Sequence, residues 1–200
     1  MALKRHLVIF ARQPRLGTGK RRLARDIGAV NALRVQRVVL AHTLRRLADS
    51  RWLTWLAATP DRSRQWAARQ RIVQQGTGNL GDRMAAVARR LSPGPVVIVG
   101  SDVPHIAGDD IARAFRALGH CDAVFGPAHD GGYWLVGLRR RPRFVDPFHN
   151  VRWSSPHALA DTRRNLNGKC VVLLAARHDI DDGASLARHQ RWDRLNDRAR

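Results

Sequence analysis

The strongest pattern in the chain is a run of apolar, β-branched residues, Val96, Val97, Ile98 and Val99, opened by Pro95 and closed by Gly100. Such a run suits a strand buried on both faces of a sheet. Shorter apolar runs at 7–10, 52–57, 71–74, 122–126, 135–138 and 169–174 predict further strands. Between them the apolar residues change to a helical period. In 29–47, Val30, Leu33, Val38, Leu40, Ala41, Leu44 and Leu47 recur at near-helical spacing, with Arg34, Arg37, Arg45 and Arg46 on the polar positions, so an amphipathic helix is expected against the sheet. In 109–118, Ile111, Ala114, Phe115 and Leu118 make the inward face, and Asp109 and Asp110 suit the positive N-terminal end. Helices are also predicted at 63–69, at 82–91 and from Ser154, Ser155 and Pro156 to Asn165, Ser being a good N-cap and Pro a good first helical residue. Strands alternating with helices predict an α/β fold, read as one domain over residues 1–200, whose last polar stretch is a surface helix or a frayed tail.

In open α/β sheets ligands bind beside the carboxyl ends of the strands, so the loops after the predicted strands hold the candidate chemistry. The first such loop carries Ala11, Arg12, Pro14, Gly17, Gly19 and Lys20. Backbone N–H groups of a glycine-bearing loop can approach an anion closely, and Lys and Arg add charge, which suggests phosphate binding; an ordinary surface loop using Gly for its turns is the alternative. It is no Walker A loop, because Pro14 and Arg21 stand where Gly and Ser or Thr are required. After the third predicted strand, Gly76, Gly78 and Gly81 satisfy G-x-G-x-x-G, and Asp102 follows about twenty residues on, a dinucleotide-binding pattern that here trails a short polar strand rather than a strong first one. Asp102 itself, beside Ser101 at the end of the central strand, is a hard oxygen donor of the kind Mg²⁺ and Mn²⁺ favour. Asp130, Gly131 and Gly132 form a second acidic turn, read either as a site for a close ligand approach or as hairpin geometry with a turn Asp. The sequence Gly100, Ser101, Asp102 lacks the spacing of a nucleophile elbow.

Composition qualifies this picture. The chain has 36 Lys and Arg against 16 Asp and Glu, a net charge of +20, which raises a nucleic-acid reading. Only Lys4, Lys20 and Lys169 are lysines, and the arginines are spread through nearly every segment rather than clustered into a footprint. The densest basic run, 139–143, reads as a solvated loop or as a guide for an anionic acceptor. Against this background His178, Asp179, Ile180, Asp181 and Asp182 form an acidic cluster. Cys121 and Cys170 are far apart and in no CxxC pair, so neither structural zinc nor a disulfide is expected. The apolar start of the chain is too short for a signal peptide and no run reaches the length of a membrane span, so a soluble cytoplasmic protein is expected.

Taken together, several segments resemble one family. Phe10-Ala11-Arg12-x-Pro14-x-x-Gly17-x-x-Lys20-x-Arg22-Leu23, Gln75-x-x-Gly78-x-Leu80-Gly81-x-Arg83-Met84, Gly100-Ser101-Asp102-x-Pro104, Gly126-Pro127-Ala128-x-Asp130-Gly131-Gly132-Tyr133, Trp153-Ser154 and Asp179-Ile180-Asp181 are similar, in this order, to motifs of the DUF2064 proteins. These are glycosyltransferase-like members of the nucleotide-diphospho-sugar transferase superfamily, related to molybdopterin-cofactor and phospholactate guanylyltransferases. The resemblance implies a single GT-A-like three-layer α/β/α sandwich with a mixed, mostly parallel sheet. It implies Ala11, Arg12, Gly17, Lys20, Gln75, Gly78, Leu80, Gly81 and Ser101 around the nucleotide, Asp102 and Asp181 on Mg²⁺ or Mn²⁺, and Gly131, Gly132, Tyr133 and Trp153 on the acceptor side. Asp102 and Asp130 are the implied catalytic carboxylates. The chain departs from the family at Arg21, where Thr is common, and at Ser101-Asp102, which stands in place of a full Asp-x-Asp.

The expected activity is therefore metal-dependent transfer of a glycosyl or nucleotidyl group from a nucleotide donor to a small acceptor. Two other classes stay open: a basic nucleic-acid-binding protein without catalysis, and an NAD(P)-binding oxidoreductase built on Gly76, Gly78 and Gly81.

Overall fold

The computed structural model describes residues 3–61 and 70–198, with side chains to residue 190; the helix expected at 63–69 lies outside this range. The elements run β1 (His6–Arg12), α1 (Arg21–Ile27), α2 (Ala29–Arg46), β2 (Leu53–Thr59), β3 (Arg71–Gln74), α3 (Leu80–Arg90), β4 (Val96–Gly100), α4 (Gly108–Ala117), β5 (Ala123–Pro127), β6 (Tyr133–Leu138), α5 (Ala158–Arg164), β7 (Val171–Leu173) and α6 (Gly183–Arg198). One seven-stranded sheet has the order β3-β2-β1-β4-β6-β5-β7. All neighbours pair parallel except β6, which is antiparallel to β4 and β5. This is the expected α/β/α sandwich with a mixed, mostly parallel sheet.

The central strands carry unbroken apolar runs, Leu7 to Ala11 in β1 and Val96 to Val99 in β4, because both faces are covered. Leu7 and Ile9 of β1, with Val97 and Val99 of β4, pack into a cluster with Leu40 and Leu47 on the α2 side and Ile111 and Phe115 of α4. The alternate residues Val8, Val96 and Ile98 join Met84 and Val87 of α3 and Phe148 on the other face. Period-two alternation thus divides one hydrophobic run between two cores. A third, smaller cluster of Leu23, Ala32 and Ile180 fastens α1, α2 and the segment before α6 together.

Four local expectations need correction. The end of the first loop, 21–23, and the unassigned residues after it form helix α1, which packs on α2 and α6. In α2 the buried side is Ala32, Leu40 and Thr43, followed by the capping Leu47, whereas Val30 and Val38 are each 54% exposed. Near-helical spacing alone did not separate the two faces of an alanine- and valine-rich helix. The helix expected from Ser154 begins at Ala158. Ser154 has φ 58°, and Ser155 Oγ donates to Arg152 O at 2.6 Å and accepts from His157 N at 3.2 Å, so the Ser-Pro segment closes a turn instead of capping a helix. Cys121 and Cys170 are paired as a disulfide with Cα atoms 4.8 Å apart. Parallel pairing of β5 with β7 puts Ala123 opposite Val171 and so aligns the cysteines just before the two strands. That juxtaposition is invisible in a separation of 49 residues. Among the described residues no helix is long and apolar enough to cross a membrane.

One buried polar contact sits at the base of the sheet. His6 has no exposed surface; its Nδ1 accepts from Trp55 Nε1 at 3.1 Å and its Nε2 lies 3.2 Å from Ser92 Oγ. Burial, with Arg140 nearby, lowers its pKa to about 4. The unfolded chain takes up this proton near pH 6.5 and the folded chain only near pH 4, so the neutral ring stabilises fully above pH 6.5 and its contribution is lost as pH falls through that window. Urea unfolding followed from pH 7 to pH 4 is expected to show a loss of up to about 3 kcal/mol from this group. His6→Gln, which keeps polar atoms at the position but does not titrate, should flatten that part of the profile; an unchanged profile would remove His6 as its source.

Candidate functional site

The carboxyl ends of β3, β2, β1 and β4 lie side by side because these strands are parallel neighbours. They open into one cleft of about 380 Å³. Gln75 enters it from the end of β3, Thr59 from β2, Phe10, Ala11 and Arg12 from β1, and Ser101 and Asp102 from β4. Gly19, Lys20, Arg21 and Arg22 close it from the loop and α1, Leu80 from the start of α3, Gln36 from α2, and Asp181 from the segment before α6. Residues separated by up to 171 positions in the sequence thus meet over the strand ends, from Phe10 to Asp181.

Lys20 is the hub. It caps α1 in a left-handed conformation, φ 45° and ψ 41°, and its side chain is only 10% exposed. Its Nζ lies 3.0 Å from Asp102 Oδ2, donates to Asp181 Oδ1 at 2.9 Å, and makes a short hydrogen bond to the Ile180 carbonyl. Burial works to lower the Lys20 pKa, but the charges of Asp102 and Asp181 outweigh it and hold the ammonium above its ordinary value. Burial likewise opposes the charge on Asp181, and the bonded Lys20 ammonium outweighs it, keeping that carboxyl below the usual range. Its neighbour Asp179 is pushed up to about 6, first by burial and then by the Asp181 charge. The backbone holds Asp181 in place: Ile180 N donates to Asp102 O at 3.0 Å, and Ser185 Oγ accepts from the N–H groups of Asp181 and Asp182, each at 3.0 Å.

The nucleotide-side residues named from the sequence divide into two groups. Ala11, Arg12, Lys20, Gln75, Leu80, Ser101, Asp102 and Asp181 all line the cleft. Gln75 is anchored there, its Nε2 donating to Ala57 O at 2.6 Å while Asp61 Oδ1 accepts from its N–H at 2.9 Å. Gly17 lines an adjoining cavity of about 140 Å³ instead. Gly78 and Gly81 do not line the cleft. Gly78 adopts φ 92° in the turn that leads to the capping box of Asn79 and Asp82. Gly81 is buried where a Cβ would stand 2.6 Å from the Trp153 ring and 2.8 Å from Phe148 Cβ. The G-x-G-x-x-G pattern thus marks a turn, a helix cap and a close packing contact beside the edge strand β3.

The acceptor-side residues sit apart from the cleft lining. Asp130 Oδ1 accepts from Gly132 N at 2.9 Å within the exposed turn between β5 and β6. Tyr133 stacks edge-on against Phe125 and Trp153, with ring centroids 5.2 and 6.4 Å away, and its hydroxyl is buried. Burial raises that phenol above its ordinary pKa. Trp153 fills the space between Gly81, Phe148 and Tyr133. Sequence reasoning missed Phe10, Gln36, Thr59 and Arg21 as cleft residues. Phe10 and Arg21 stand within the first family motif without having been assigned a role, whereas only register across the sheet and the packing of α2 reveal Thr59 and Gln36.

A mixed α/β/α sheet with this cleft over its parallel strand ends defines a protein with the nucleotide-diphospho-sugar transferase fold. The chain is similar, at 27% identity and TM-score 0.83 over 90% of its length and 84% of the other's, to a protein of Desulfovibrio desulfuricans G20 proposed as a nucleotide-diphospho-sugar transferase. It belongs to the bacterial family DUF2064, described as an uncharacterized protein conserved in bacteria, whose profile matches residues 35–155. That stretch contains Gln75, Asp102, Asp130 and Trp153; the loop carrying Lys20 and the segment carrying Asp181 lie outside it. Likeness of fold extends to CMP:2-keto-3-deoxy-manno-octonic acid synthetase complexed with CTP, at 13% identity and TM-score 0.63 over 96% of this chain and 99% of that one. It extends also to Rv0371c of Mycobacterium tuberculosis H37Rv in complex with manganese, at 16% identity and TM-score 0.50 over 94% and 97% of the two chains. No curated protein matches the sequence.

Two outcomes are expected from this geometry. Lys20→Met leaves Asp102 and Asp181 facing each other without their shared cation, and should lower stability by about 2 kcal/mol at pH 7. Adding Asp181→Asn should restore more than half of that loss in urea unfolding, and strictly additive losses would show that the three groups are not coupled. In the second turn, Gly131 has φ 86° and a Cβ there would overlap the Pro156 backbone, whereas at Gly132 it would meet only the Asp130 carboxylate, 3.1 Å away. Gly131→Ala should therefore cost about 2 kcal/mol and Gly132→Ala less than half as much, read from the same measurement.

Proposed function

We propose that this protein is an enzyme: a metal-dependent transferase that binds a nucleotide donor, either a nucleotide sugar or a nucleoside triphosphate, and passes a glycosyl or nucleotidyl group to a small acceptor. The observation that carries this reading is the convergence of Arg12, Lys20, Asp102 and Asp181 in one cleft over the parallel strand ends. Arg12 and Lys20 suit the phosphates of the donor, which demand fixed positive charge. Gln75 offers a positioned amide and Leu80, 47% exposed, an apolar edge, a combination that suits a base. The likeness to a synthetase complexed with CTP supports a nucleotide as the occupant.

A divalent cation fits the donor set. Asp102 and Asp181 both line the cleft, and hard carboxylate oxygens suit Mg²⁺ or Mn²⁺; the point where their nearest oxygens converge is taken by the Lys20 ammonium, so the ion would bind beside it. Among the described residues no three His, Cys, Asp or Glu side chains gather as a cage, so donor phosphates and water would complete the coordination. When bound, such an ion supplies charge neutralisation at the departing phosphate. The residues of the chain then divide the remaining work. Lys20 shares its charge between the two carboxylates and the donor, Arg12 orients the phosphates, and Asp130 is the candidate for orienting or deprotonating an acceptor hydroxyl, with Gly131, Gly132, Tyr133 and Trp153 shaping its side of the site.

The test is a thermal-shift panel of nucleoside di- and triphosphates, nucleotide sugars and NAD(P), each with and without Mn²⁺. A donor at about a hundredfold its Kd stabilises by about 2.7 kcal/mol. A response confined to one base, dependent on metal and lost in Asp102→Ala, is the expected result. A metal-independent response to NAD(P) alone would transfer the assignment to a dinucleotide enzyme. Silence across the panel, joined to salt-sensitive binding of DNA or RNA, would transfer it to a nucleic-acid-binding protein.

A further inference from the structure

Behind the carboxylate wall of the nucleotide cleft lies a second cavity, of about 220 Å³. The two share their partition. Ser101 and Asp102 face the first and Val103 the second; Asp181 faces the first and Asp179 and Ile180 the second. The hydrogen bond from Ile180 N to Asp102 O, 3.0 Å, joins the two segments of that partition. The far side is built from the loop after β4, the loop after β7 and the first turns of α6.

Its lining is basic and rich in imidazole. Arg177, His178, Arg188, His105 and His189 all contribute. Arg188 Nη1 donates to His178 Nδ1 at 3.3 Å, and the His178 ring stacks on His129 with centroids 3.7 Å apart and planes 9° from parallel. His189 Nδ1 lies 2.7 Å from His105 Nε2. Arg177 is fixed by Asp110, 2.7 Å away, and by stacking 5.3 Å above Trp134, and its Nε is buried without a hydrogen-bond partner. Asp179 is the single carboxylate among the lining residues. Burial, then the neighbouring His129 and Arg188, hold His178 below its ordinary pKa, as expected of a site short of negative charge.

We propose that this second cavity binds the anionic end of the acceptor, a phosphate monoester or carboxylate, through Arg188, His178 and Arg177. Guanidinium and imidazole groups recognise such oxyanions, and Arg188 and His178, bonded to each other at the cavity wall, supply both. A small molecule anchored there lies one residue away, along both chain segments, from Asp102 and Asp181. The acceptor role rests on the transferase reading; the anion site stands on its own geometry.

The probes are inorganic phosphate and glycerol phosphate, titrated at constant pH into the full chain while the imidazole resonances are followed by ¹⁵N-histidine NMR. Wild type is expected to show shifts at His178 and His129. Arg188→Gln, at an exposed position on α6, should raise the titration midpoint at least tenfold, whereas Arg12→Gln in the nucleotide cleft should leave it unchanged. Unmoved histidine resonances, or a response lost in Arg12→Gln and kept in Arg188→Gln, would overturn the proposal by placing no anion in this cavity. The nucleotide panel run on the same proteins separates the two readings. A nucleotide response without an anion response overturns the cavity alone. An anion response without any nucleotide response upholds the site and overturns its acceptor role.

Discussion

The ammonium of Lys20 connects the two ends of the chain. Its three partners, Asp102, Ile180 and Asp181, come from the end of the central strand and from a segment 160 residues away. Without a cation between them, two carboxylates at the rim of a half-buried cleft would repel each other and lose hydration together. With Lys20 in place, the loop after β1, the end of β4 and the entry to α6 become one rigid wall. The bonded Lys20 ammonium outweighs burial and holds the Asp181 carboxyl below its usual range. The same contact that holds the fold closed therefore keeps the site electrostatically poised.

Sheet register determines what this wall can face. Because β3, β2, β1 and β4 run parallel, their carboxyl ends finish level and present side chains to a common space. Antiparallel β6 then divides the sheet, so the turn bearing Asp130 and the cluster of Tyr133 and Trp153 belong to the other half. Under the proposed transferase reading, donor and acceptor would approach from different halves of one sheet.

Legibility in the sequence followed the number of chemical constraints on each position. The central strand was plain, because only a doubly covered strand requires Val96 to Val99 to be apolar without alternation. Lys20 stood out as one of three lysines in a chain dominated by arginine and Asp102 as a carboxylate at the end of the central strand, whereas Asp181 was marked by the acidic cluster and the family resemblance. Gln36 and Thr59 were not, because ordinary polar residues reach the cleft only through register and helix packing. Glycine misled in the opposite direction. Gly78 and Gly81 satisfied a ligand-binding pattern, yet the first serves a turn and the second the close approach of Trp153. The pattern records that a side chain is excluded at a position and leaves open whether a ligand or the protein itself excludes it.

The same ambiguity applies to the net charge of +20. Many arginines are committed to the fold itself. Arg140 donates to the carbonyls of Ala88, Leu91, Ser92 and Gly94, closing the end of α3 that no intrahelical bond can satisfy. Arg152 grips the buried Asp161 through both Nε and Nη2 at 2.8 Å, and Arg177 holds Asp110 beneath Trp134. Arg90 and Arg46 bond the backbone at Gln74 and Pro104. A guanidinium spent on a carbonyl or a buried carboxylate brings positive charge to the molecule but offers few donors to a partner. For this chain, then, total charge is a weak guide to binding. The informative cations are the few that line cavities, Arg12 on one side of the carboxylate wall and Arg188 on the other, Lys20 being committed to two carboxylates and a carbonyl.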